Sequence, residues 1–79
     1  MKNIHSSDHK KLCELIRRLR EEKGVTQHAL AQKLEVPQSF VSKVETGERR
    51  LDILELRSVC LALEIPMKRF IQLLEEDLK

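Results

Sequence analysis

Two four-residue breaks, Leu34-Glu35-Val36-Pro37 and Leu63-Glu64-Ile65-Pro66, constrain this chain more than any other feature. Proline fixes φ and lacks the amide donor a helix interior needs, so each break ends one helix and opens another. Gly24 and Gly47 add two further stops, because glycine readily takes the left-handed conformation that closes helices. The 79 residues are thereby cut into five short segments. Each segment reads with helical period, and none alternates like a strand. Leu12, Leu15, Ile16 and Leu19 form one apolar stripe on a first helix that starts near Ser7 or Asp8 and ends at Gly24. Thr26 is placed to cap a second helix, Gln27–Leu34, with Leu30, Ala31 and Leu34 inward. A third helix over 37–46 turns Pro37, Phe40, Val41 and Val44 inward. Asp52 and Glu55 have capping-box spacing ahead of a fourth helix, whose inner face is read as Ile53, Leu56, Cys60 and Leu63. A fifth helix runs from Pro66 toward Leu78. The two breaks share turn chemistry, but their flanks differ, so they mark no internal repeat. The expected architecture is all-α with five helices, a flexible tail over 1–7 and one domain over 8–79.

Composition narrows the function classes. A chain this short carries one modest core and has no room for a separate catalytic domain. Aromatic residues make up 3% of it, with no Trp or Tyr, which disfavours a nucleotide or sugar site built on stacking. Two glycines leave nothing for a glycine-rich phosphate loop. Cys13 and Cys60 fit no CxxC spacing, and a secreted domain of this size would need more disulfides. No apolar run is long enough to span a membrane, and the first residues lack an apolar signal core, so the expected location is cytoplasmic. Charge is unevenly spread. Residues 1–50 hold 11 Lys and Arg against 7 Asp and Glu, whereas 51–79 hold 4 against 6. A basic first part points to an anionic partner.

The informative unit is the second helix, the tight turn and the third helix. Such a pair crosses steeply and can place its second member in the DNA major groove. The outer face of that member carries Gln38, Ser39, Ser42, Lys43 and Thr46. Gln pairs with adenine, Lys donates to guanine, and Ser is permissive.

Beyond composition, the order of residues is specific. It runs Arg17-x-x-Arg20-x-x-x-Gly24-Val25-Thr26-Gln27-x-x-Leu30-Ala31-x-x-Leu34, then Gln38-Ser39-Phe40-Val41-Ser42-Lys43-Val44-Glu45-x-Gly47-Glu48-Arg49-Arg50-Leu51-Asp52. In this order the chain resembles the Cro/C1-type, XRE-like helix-turn-helix regulators over roughly residues 12–75, with their lambda-repressor-like fold. The resemblance implies base reading by Gln38, Ser39, Ser42 and Lys43. It implies phosphate contacts by Thr26, Gln27, Thr46, Arg49 and Arg50, with Thr46 placed either to donate to phosphate or to shape the helix end. Arg20 and Glu45 match a structural ion pair. Two positions depart from the family pattern. Glu35 stands where the family often has Gly, a site of positive φ that costs a side-chain-bearing residue about 1 kcal/mol. Pro37 stands where a Ser or Thr cap is common. Phe40 is read as a core residue, with a rim position against thymine methyls as the alternative.

Other constellations are weaker. His5, His9 and Cys13 share a spacing of four, but His5 precedes the helix and no fourth ligand is evident, so no metal or other cofactor is expected. His28 reads as a surface or phosphate-side residue, and Glu75-Glu76-Asp77 as a solvated helix end. No spacing supports a catalytic set, so no enzyme is expected. The last two helices hold more apolar residues than one small core requires: Leu54, Leu61, Met67, Phe70, Leu73, Leu74 and Leu78 are expected to include a homodimer interface. Dimerisation also lets a short recognition helix read two half-sites. The function expected is a regulator, a repressor binding a palindromic DNA operator as a homodimer. The alternative is an antitoxin-like module that binds a partner protein through helices four and five.

Overall fold

The computed structural model describes residues 7–79, and among them there are five helices and no strand. The helices are α1 (Ser7–Glu22), α2 (Gln27–Leu34), α3 (Gln38–Thr46), α4 (Ile53–Ala62) and α5 (Met67–Asp77). Ser7, assigned to the tail from sequence, is the first residue of α1; the remaining tail positions lie outside the described residues.

Three of the four connections are the same turn. The amides of Gly24, Glu35 and Glu64 each reach a carbonyl three residues back (Glu21 at 3.0 Å, Gln32 at 3.1 Å and Leu61 at 3.1 Å). The next amide reaches five back: Val25 to Arg20 at 3.1 Å, Val36 to Ala31 at 3.0 Å and Ile65 to Cys60 at 2.9 Å. This Schellman pattern satisfies helix-end carbonyls and demands a left-handed residue at its centre. Gly24 supplies one at φ 69°, whereas Glu35 and Glu64 are forced into it at φ 58° and 56°. The apolar residue that follows is buried or half-buried, so each turn is pinned to the core as it reverses the chain.

Helix starts follow their caps. The Thr26 side chain accepts from the Ala29 amide at 3.0 Å. Asp52 and Glu55 form a reciprocal capping box, Glu55 N to Asp52 Oδ1 at 2.7 Å and Asp52 N to Glu55 Oε1 at 2.9 Å. Pro37 and Pro66 open α3 and α5 through fixed φ alone, with no side-chain cap.

The core gathers Leu15, Ile16 and Leu19 of α1, Leu30 and Ala31 of α2, Val41 and Val44 of α3, Leu56, Val59 and Cys60 of α4, then Leu63, Ile65 and Phe70. α3 packs on α1 and α2, α2 also on α4, and α5 on α1 and α4. Three sequence readings need correction. Ile53 is 63% exposed, because the inner stripe of α4 runs through Leu56, Val59, Cys60 and Leu63, and Val59 takes the place given to Ile53. Pro37 is exposed, since it caps α3 ahead of the first residue that meets the core. Phe70, expected among the dimer residues, is 1% exposed, a core side chain unable to meet a second copy. Met67, Leu73 and Leu74 pack around the same core.

Candidate nucleic-acid interface

The seating of α3 starts with its apolar side. Val41 and Val44 are buried, and Phe40 is half-buried against the core. By the 3.6-residue repeat the opposite side must face out. Gln38, Ser39, Lys43 and Thr46 are exposed and Ser42 is half-buried. The helix ends at Gly47, at φ 87°, whose amide reaches the Val44 carbonyl at 3.2 Å.

The one acid in α3, Glu45, is turned away from that outer row. Arg20 Nε donates to Glu45 Oε2 at 2.6 Å and Arg20 Nη2 to Oε1 at 3.0 Å. Arg20 Nη1 donates to the Val25 carbonyl at 2.7 Å, and Gln27 Nε2 to Glu45 Oε1 at 3.0 Å. Arg20 is 7% exposed, yet among the described residues no buried side-chain nitrogen or oxygen lacks a partner. A buried charge is tolerated only in such company. The hydrogen bonds that Arg20 donates to Glu45 raise its guanidinium pKa above the ordinary range, against the opposing effect of burial. The pair therefore joins the end of α1, the start of α2 and the end of α3 at one carboxylate.

Several residues read as phosphate contacts have intramolecular work as well. Gln27 is half-buried and committed to Glu45 through its amide nitrogen. Thr26 caps α2. The Thr46 hydroxyl donates to the Lys43 carbonyl at 3.2 Å. Arg49 Nη1 and Nη2 donate to the two Glu55 oxygens at 3.2 and 2.9 Å, and the Arg49 guanidinium lies 4.2 Å from the Phe40 ring centroid. Glu55 is held below its usual carboxylate range, first by Arg49 and then by the Asp52 amide. Arg50 is exposed.

A model of the helix-turn-helix family matches residues 16–70. The chain belongs to the helix-turn-helix family. Solved structures of a restriction-modification controller protein, C.Esp1396I, share the arrangement. The wild-type protein has a TM-score of 0.86 and 30% sequence identity, covering 92% of this chain and 96% of that one. The same protein as a tetramer in complex with its natural 35 base-pair operator gives 0.85 and 32%, covering 94% and 99%. Bound to a 19 base-pair DNA duplex it gives 0.86 and 30%, again covering 94% and 99%. No curated protein sequence matches the chain at a significant level. Within this helix-turn-helix frame α2 and α3 are the paired helices, and the Glu35 turn joins them.

Away from α3, Leu54 and Leu61 are 71% and 60% exposed on α4, while Leu78 is half-buried. Ile53 and Ile71 are exposed too, and the sequence reading left them out of the interface set. His9 Nε2 lies 3.7 Å from Cys13 Sγ and 3.4 Å from the Gly47 carbonyl. Burial pushes the Cys13 thiol pKa up. His5 lies outside the described residues, and among those described no group of three or more His, Cys, Asp or Glu side chains is placed to hold a metal. No helix among them is long and apolar enough to cross a membrane. Sequence reasoning missed two contacts, Arg49 with Glu55 and Gln27 with Glu45. Both join residues that only the folded turns bring together.

Proposed function

We propose that this chain is a sequence-specific DNA-binding transcriptional regulator, a non-enzymatic cytoplasmic repressor that occupies a palindromic operator as a homodimer. One observation carries the reading. The outer row of α3 presents Gln38, Ser39 and Lys43 to solvent, while its only acid is turned inward and neutralised by Arg20. An acid-free polar row on a rigidly seated helix suits a major groove flanked by phosphates. Gln38, Ser39, Ser42 and Lys43 read base edges. The N-terminus of α2 at Thr26 and Gln27, with Thr46, Arg49 and Arg50, meets the backbone on either side. The DNA complexes of C.Esp1396I support this use of the fold. The exposed Leu54 and Leu61 supply a face for a second copy, which doubles the length of DNA read.

The test is selection of bound duplexes from a random pool at near-physiological salt. Enrichment of an inverted repeat with half-site centres about 10 base pairs apart is the expected result. Retention without enrichment, with Kd about 10⁻⁴–10⁻⁶ M on every duplex, refutes specific reading.

A further inference from the structure

Arg49 sits where the connector leaves α3, and three partners hold its guanidinium. Its two terminal nitrogens meet the two Glu55 oxygens, Nη1 also donates to the Arg50 carbonyl, and its face covers the Phe40 ring. Phe40 follows Ser39 on α3, and Glu55 lies in the first turn of α4. One cation thus couples the proposed reading helix to the helix behind it. The ion pair is open to solvent, with side chains 38% and 34% exposed, so an outside anion can reach it. A carboxylate and a phosphate offer guanidinium the same two-oxygen fork.

We propose that Glu55 is an internal stand-in for a DNA phosphate: it docks Arg49 over Phe40 in the free protein, and Arg49 joins the DNA backbone only by exchanging that carboxylate for phosphate. The exchange leaves no orphan, because Glu55 keeps the Asp52 amide as a donor. A loosely seated, sequence-independent complex offers poorer phosphate geometry than a fully docked one. Glu55 therefore withholds Arg49 from non-cognate DNA more than from the operator, which makes it a specificity-determining positioning residue that touches no base. The proposal rests on the DNA-binding reading above.

Glu55→Gln is the discriminating variant, since it keeps the shape and the acceptor for Asp52 while removing the charge. Wild type, Glu55→Gln, Arg49→Ala and the double variant are titrated by fluorescence anisotropy against the selected duplex and a scrambled one, over a salt series. Glu55→Gln is expected to tighten the scrambled duplex about three- to tenfold and the selected duplex less, and to steepen log K against log[salt] on the scrambled duplex by about one unit. In the Arg49→Ala background the same change is expected to do almost nothing. Equal tightening in that background would mean simple loss of charge repulsion and would overturn the proposal, as would an unchanged salt slope. A wild type that holds no DNA sinks the regulator reading itself. NMR then separates the two failures: Arg49 side-chain resonances displaced by the Phe40 ring in wild type, and relaxed in Glu55→Gln, leave the clamp as scaffold alone. Undisplaced wild-type resonances remove the clamp, whatever the DNA does.

Discussion

Glycine at position 35 is expected to stabilise the protein even though it deletes a side chain. Glu35 lies at φ 58°, ψ 45°, and its side chain is exposed. The left-handed conformation costs an L-residue roughly 1–2 kcal/mol, because Cβ crowds the carbonyl that follows. Glycine removes that cost but returns about 0.5–1 kcal/mol as extra freedom in the unfolded chain. The turn's two hydrogen bonds, Glu35 N to Gln32 O and Val36 N to Ala31 O, are both backbone and survive the change. The net gain is therefore about 0.5–1 kcal/mol, which in a domain of this size raises Tm by about 2–8 °C. Thermal unfolding followed by far-UV circular dichroism measures it. Glu35→Ala is the control, because it removes the same charge yet keeps Cβ in the strained region. If alanine stabilises as much as glycine, the gain comes from the charge and the strain argument is wrong. Glu64, at φ 56° in the matching turn, gives an independent repeat with Glu64→Gly and Glu64→Ala.

Glu45→Ala leaves Arg20 buried without its partner and is expected to cost about 3–5 kcal/mol in urea unfolding. Adding Arg20→Met should recover part of that loss, and a double variant as unstable as the sum of the singles contradicts the pairing. Gln38→Ala and Lys43→Ala should each weaken the selected duplex by about 1–3 kcal/mol while leaving Tm unchanged. Arg50→Ala should instead weaken all duplexes alike and flatten the salt slope by about one unit. Leu61→Glu should convert a dimer into a monomer in sedimentation velocity, and a wild type that already sediments as a monomer counts against the α4 face.

The helix boundaries are legible in the sequence because their causes are local. Pro37 and Pro66 act on their own neighbours, Thr26 caps three residues ahead, and Asp52 with Glu55 closes a box within one turn. The departure at Glu35 is legible for the same reason, since turn shape dictates φ whatever residue fills it. Which apolar side chains the core takes is less legible. Helical counting shows that α5 is over-supplied, but only packing against α1 and α4 selects Phe70 and passes over Ile71. Ile53 fails similarly: a stripe drawn through Leu56 and Cys60 extends to it by spacing, yet the core ends a turn short. Arg49 is the clearest case at the site. In sequence Glu55 already has a use, as the capping acceptor, and nothing local shows that the connector folds Arg49 back onto it.

The bond from Arg20 to Glu45 also has a meaning for how such a protein changes over generations. The contacts that seat α3 on the core lie on its inward side: two valines, the half-buried Phe40 ring under Arg49, one carboxylate and the guanidinium and amide that hold it. Nothing in that set is shared with Gln38, Ser39 or Lys43. The outward row is thus interchangeable, a cassette in which new side chains can be tried without disturbing the mount. Retargeting a chain of this kind calls for substitutions in one row of α3, and its stability should be nearly blind to them.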